Sequence, residues 1–148
     1  MSVINKFVGT WELRDFYIQT DNATKEYPLG KDVKGLIMYS DKYVSVCIKG
    51  EKSNDQQLSN YFINKLSKID KILGNTNYIA YCGMFDVNSE QKIIIHKVQV
   101  IALDVAQSIQ FSRYYTFVKD QLILTTAPVE RDNILPENTP ILVWKKIS

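Results

Sequence analysis

Histidine and cysteine are scarce: one His and two Cys stand among 148 residues. Cys47 and Cys82 have no Cys-x-x-Cys spacing and are too few for a disulfide framework. With a lone imidazole beside them they argue against a transition-metal site, so no metal is expected. Neither thiol has a neighbouring base in sequence, so both read as passive residues rather than nucleophiles. The chain has no Gly-x-Ser-x-Gly elbow, no phosphate-binding glycine loop and no dinucleotide fingerprint. No cofactor is expected. No apolar run approaches the roughly 18 residues of a membrane span. The N-terminus, Met1 to Lys6, lacks the basic and apolar segments of a secretory signal. Charge of one sign is also missing: 18 basic and 16 acidic residues leave a net +2. Lys49, Lys52, Lys65, Lys68 and Lys71 are interleaved with Glu51, Asp55 and Asp70, a solvated surface rather than a nucleic-acid footprint. A reduced, cytoplasmic protein without a nucleic-acid partner is the expectation.

What is present is alternation. The length suits one domain with one core, over 1–148. Strand patterns occur at 7–18, 33–40, 43–49, 78–87, 92–102, 107–118, 121–126 and 141–147. Ser40-Asp41-Lys42, Asn88-Ser89-Glu90-Gln91 and Lys119-Asp120 are short enough for hairpins. Between the third and fourth strands the period changes. Leu58, Tyr61, Phe62, Leu66, Ile69, Ile72 and Leu73 are spaced by threes and fours, which predicts a helix over 55–73. A polar, proline-marked loop covers 128–140. Eight strands with short connections imply antiparallel neighbours and an all-β, up-and-down barrel with one inserted helix. A β-sandwich is the rival architecture.

Gly9-Thr10-Trp11 near the start and Leu142-Val143-Trp144-Lys145-Lys146 near the end resemble the calycin superfamily. Segments 35–41, 78–85 and 96–100 and the run 113–126 extend the match, and the chain resembles the lipocalin-like domain family over nearly its whole length. The resemblance implies a barrel with an internal cavity for a small, mostly apolar molecule. It also implies that Trp11, beside Gly9, packs across the closed end near a cation from the last strand, Lys145 or Lys146. No reaction is implied, because fold does not fix function.

Parity singles out an interior site. Ile94, His96, Val98 and Val100 share one face of their strand, and Ile109, Phe111, Arg113, Tyr115 and Phe117 share one face of the next. His96 and Arg113 thus sit in apolar rows, which are read as inward. A turn centred on 104–105 sets His96 opposite Arg113. A turn centred on 89–90 sets it opposite Gly83, flanked by Tyr81 and Phe85, where a glycine leaves room for the imidazole and a ligand. On the first strand, the spacing of three puts Glu12 and Asp15 on opposite faces.

The candidate ligand-binding residues are therefore His96, Arg113, Tyr115, Phe111, Tyr81 and Phe85, with Gly9, Trp11 and Lys145 structural. A buried guanidinium must find acceptors or an anion, and beside it a histidine is pushed neutral. Such a pair suits the polar end of an otherwise apolar ligand. The competing structural account satisfies both residues with tyrosine hydroxyls, carbonyls or water. Three functions follow. The first is binding of a small hydrophobic or amphipathic molecule, with no catalytic residue. The second is an isomerase, cyclase or hydrolase using His96 as acid or base. The third is an interaction module contacting partners through 55–73 or 128–140. Sequence leaves the oligomeric state open.

Overall fold

The computed structural model describes residues 2–19, 24–50, 78–102, 109–126 and 139–148. The helix expected over 55–73 and most of the loop expected over 128–140 lie outside them. Among the described residues the helical element is a single turn, α1 (Ile4–Phe7). The strands are β1 (Gly9–Gln19), β2 (Lys25–Glu26), β3 (Lys34–Tyr39), β4 (Tyr43–Lys49), β5 (Tyr78–Asn88), β6 (Ile93–Ile101), β7 (Ile109–Val118), β8 (Gln121–Thr125) and β9 (Pro140–Lys146).

Eight of these strands form an antiparallel barrel. From β3 to β9 each strand pairs with the next, and β1 joins β3 on one edge and β9 on the other. The sheet is therefore closed, which rules out the sandwich. The two-residue β2, absent from the sequence reading, pairs with the far end of β1 through Ile18 and Gln19.

The two ends of the barrel differ. At one end the connections are hairpins fixed by local chemistry. Ser40 Oγ accepts from the Tyr43 backbone N–H at 2.9 Å, and Asn88 Oδ1 accepts from the backbone N–H groups of Glu90 and Gln91, each at 3.1 Å. The same end is plugged by Phe7. α1 turns its ring fully inward, with centroids 5.4 Å from Tyr39, 5.0 Å from Tyr115 and 4.9 Å from Phe117. Trp11 locks the plug, its indole N–H donating to the Phe7 carbonyl at 2.8 Å. At the other end lie the strand termini Gln19, Lys49, Tyr78, Ile101, Ile109, Thr125 and Pro140.

Two bulges reset which residues face inward. On β1, Leu13 pairs with Trp144 but Asp15 with Val143, so Arg14 is the extra residue. Trp11 and Leu13 point in before it, and Phe16 and Ile18 after it. Glu12 and Asp15 consequently share the outer face, against the expectation from their spacing. Glu12 pairs there with Arg14 at 3.0 Å. Between β5 and β6, Gly83 pairs with Val98 but Cys82 with Val100, leaving Gln99 extra. Val100 therefore points outward, 64% exposed, rather than into the interior row assigned from parity.

Gly83 serves this bulge. A Cβ there would collide with the Lys97 carbonyl and stand 2.9 Å from the Gln99 nitrogen. Its missing side chain makes room for the β6 backbone, not for an imidazole. Gly9 has φ +135°, a conformation that side chains disfavour, and a Cβ there would collide with the Ser148 carbonyl.

Because Phe7 fills the hairpin end on its own, truncating it leaves a void lined by rings. Phe7→Ala is expected to cost about 3–5 kcal/mol. Urea unfolding checks this; a loss below 1 kcal/mol would mean that the plug is dispensable.

A buried histidine between two tyrosines

Three strands bring the polar core together. Phe85, His96 and Phe111 lie side by side on β5, β6 and β7, since Phe85 pairs with His96 and His96 with Phe111. Both registers are shifted from those expected. Arg113 pairs with Ile94 instead of His96, and Phe85 takes the position expected for Gly83. The β5–β6 turn is centred on 90–91 rather than 89–90, the connection from β6 to β7 lies outside the described residues, and each two-residue displacement of register keeps the inward parity while changing the neighbour.

His96 is 2% exposed and its ring is held at both nitrogens. Nε2 lies 2.7 Å from the Tyr39 hydroxyl and Nδ1 lies 2.7 Å from the Tyr81 hydroxyl. Tyr39 arrives from across the interior on β3, 57 positions away in sequence. Its ring sits edge-on to Phe85 at 5.0 Å and to Phe7 at 5.4 Å. Tyr81, half-buried on β5, stacks at a tilt against Phe111 with centroids 5.0 Å apart.

Burial, and secondarily the charge of Arg113, push the His96 pKa down from 6.5 to about 3. Burial, with a smaller contribution from Tyr81, holds Tyr39 well above the ordinary tyrosine value. His96 and Tyr39 are therefore both neutral across the physiological range.

Arg113 has an inward position but not a buried one. It neighbours β8 where that strand ends at Thr125, and its side chain is half-buried. One guanidinium N–H donates to the Ser112 carbonyl at 2.9 Å, and Cζ lies 5.4 Å from the Phe111 ring centroid. Phe111 thus contacts both Tyr81 and the guanidinium.

Tyr115 lies toward the hairpin end, 4% exposed, packed against Phe7 and Phe117. Burial raises its pKa, and its hydroxyl has no hydrogen-bond partner among the described residues. The same is true of the indole nitrogen of Trp144, which is fully buried on β9.

At the plugged end, the cation over Trp11 is Lys146, with Nζ 5.7 Å from the ring centroid. Lys145, one position earlier, faces out and lies 3.9 Å from Asp120. Period-2 geometry separates the two lysines, because only Lys146 is the register partner of Trp11.

Sequence reasoning missed Tyr39. Its one signal was parity: it follows Gly35 and Ile37 on a row that faces in. Among the described residues no group of three or more His, Cys, Asp or Glu side chains is arranged to hold a metal ion.

The described strands make an all-β, eight-stranded, closed antiparallel barrel with a buried aromatic core. The model of the lipocalin-like domain matches residues 8–147, and the chain belongs to that family. No curated protein matches it.

Linkage follows from the depressed histidine. Unfolded, the imidazole takes up a proton below about pH 6.5; folded, it does not until about pH 3. The unfolded chain binds more protons throughout that window, so stability falls as pH is lowered through it. Relative to His96→Gln, the wild type is expected to lose about 1 kcal/mol more per pH unit between 6 and 4. Urea titrations of both proteins across that range measure the difference, and parallel curves would sink the assignment.

Proposed function

We propose that the protein binds a small hydrophobic or amphipathic molecule inside the barrel, its polar end held beside Arg113 and Tyr81. The observation that carries this reading is the hydrogen-bonded Tyr39–His96–Tyr81 cluster beside a large aromatic and aliphatic core. Burying polar groups costs stability, and a hydrocarbon core of the same volume would close the barrel without that cost. Membership of the lipocalin-like family supports the same reading, since that fold suggests small-ligand binding.

Within it, the site residues divide by reach. Arg113 and Tyr81 are half-buried and adjoin Phe111, a suitable floor for an apolar chain. His96, engaged at both nitrogens, acts through Tyr81 as a positioning residue. Phe85 and Tyr115 form the aromatic wall toward the plugged end.

An enzyme using His96 as acid or base ranks second. A group with a pKa of about 3 is a poor proton shuttle near neutrality, where general catalysis favours a pKa close to the working pH.

Native mass spectrometry of protein purified from its own host, before and after loading with decanoate, tests the proposal. Wild type is expected to carry one small molecule per chain. Folded Arg113→Leu is expected to lose at least about tenfold in occupancy, the scale of one charge-assisted hydrogen bond. Equal loading of the two proteins removes Arg113 from the site, and an empty wild type that also refuses decanoate removes the binding function.

A further inference from the structure

We propose that the outer face of β3, β4, β5 and β6 is a self-association surface, through which two copies of the chain form a weak two-fold dimer. The inference is independent of what the barrel holds.

An antiparallel sheet with one face packed inward ordinarily carries polar side chains on the other. One block of this barrel's exterior departs from that rule. Its central row runs Met38, Ser45, Cys82 and Val100, successive register partners on the four strands. One step away from the plug, Leu36 pairs with Cys47 and Cys47 with Ala80. One step toward it, Tyr43 pairs with Met84. Leu36, Met38, Tyr43, Met84 and Val100 are five of the eight large hydrophobic side chains exposed among the described residues. None of the nine positions in the block is charged. Charge returns at its borders. Lys34 lies opposite Lys49 at one end, Lys97 pairs with Asp86 at the other, and Glu12 pairs with Arg14 on the β1 side. An apolar centre framed by charged side chains is the anatomy of a protein interface.

Size bounds the occupant. Neighbouring strands are about 4.8 Å apart, and same-face residues about 6.8 Å apart along a strand. With side-chain margins the block covers roughly 400 Å² in projection, a size at which a surface patch is often functional. Two copies joined on it bury about 800–1,200 Å² in all, too little for an obligate dimer and enough for a concentration-dependent one.

Shape and charge point to a second copy. Small side chains, Ser45, Cys47, Ala80 and Cys82, occupy the middle, and the large exposed ones stand around them. In an isologous contact the large side chains of each copy meet the small centre of the other. A two-fold axis also sets every residue near it against its own copy, so a charge there would repel itself. The charge-free centre is what such a contact requires.

Sedimentation velocity of the full chain from about 1 to 200 µM, with reductant present, tests the proposal by mass action. The expected result is monomer at the low end shifting to dimer, with a Kd of about 10–100 µM. Ser45→Lys and Met38→Lys, each checked for folding by circular dichroism, place an unpaired charge in the contact. Each is expected to weaken the dimer at least about tenfold. Thr116→Lys, at an exposed position on the outer face of β7, is expected to leave it unchanged. A wild type that stays monomeric at the highest concentration overturns the proposal and leaves the face to another partner. A dimer that survives both folded lysine variants, or that Thr116→Lys disrupts equally, overturns the assignment of this face.

Discussion

Antiparallel pairing of β1 with β9 joins the last strand of the sheet to the first, and the interior chemistry depends on that closure. An open sheet would leave two rows of backbone N–H and C=O groups to solvent, and water would reach its inner face. Closure removes the edges and buries the side chains of the inner face. There an imidazole loses its charge, a phenol keeps its proton, and each hydrogen bond gains strength. Phe7 and Trp11 complete the seal at one end: the plug is held by the same strand whose register closes the barrel.

Inside the barrel the aromatic residues have two roles. Toward the hairpin end, Phe7, Tyr39, Phe85, Tyr115 and Phe117 interlock edge to face. Rings in such contact leave little freedom and hold Tyr39 where it meets His96. Farther from the plug, Phe111 contacts both Tyr81 and the Arg113 guanidinium, the latter beside the point where β8 stops. The short strand gives the guanidinium a route out of the core without leaving its inward row. Desolvation, which strengthens the tyrosine–histidine bonds, would otherwise fall on an arginine that cannot neutralise itself. A half-exposed Arg113 thus lowers the His96 pKa without the penalty of a fully buried charge.

The eight barrel strands, their antiparallel order and the family were all readable from alternation, hairpin-length connections and the Gly9–Trp11 and 142–146 segments. His96 and Arg113 stood out because a polar side chain in an apolar row is visible by parity. Their adjacency was not. The bulges at Arg14 and Gln99 add a residue to one strand only, which parity along a single strand does not reveal. This is why Val100 turned outward and why Glu12 and Asp15 came to share a face. Gly83 carried a correct signal with the wrong referent: the glycine marks a close approach, but of backbone rather than ligand. Lys146 rather than Lys145 meets Trp11 for the simplest reason, the alternation of side chains across a strand.

What the sequence determined by itself is the local and periodic part: which segments extend, where the tight turns fall, and which residues face in between bulges. These follow from residue-scale sterics and the two-residue period of a strand. The partnership of Tyr39, His96 and Tyr81 was decided only by the tertiary structure. It joins residues 57 and 15 positions apart through side chains that meet inside the barrel. No strand pattern encodes which inward side chains meet across the interior. That depends on the register of every intervening strand and on the Phe7 plug that orients Tyr39.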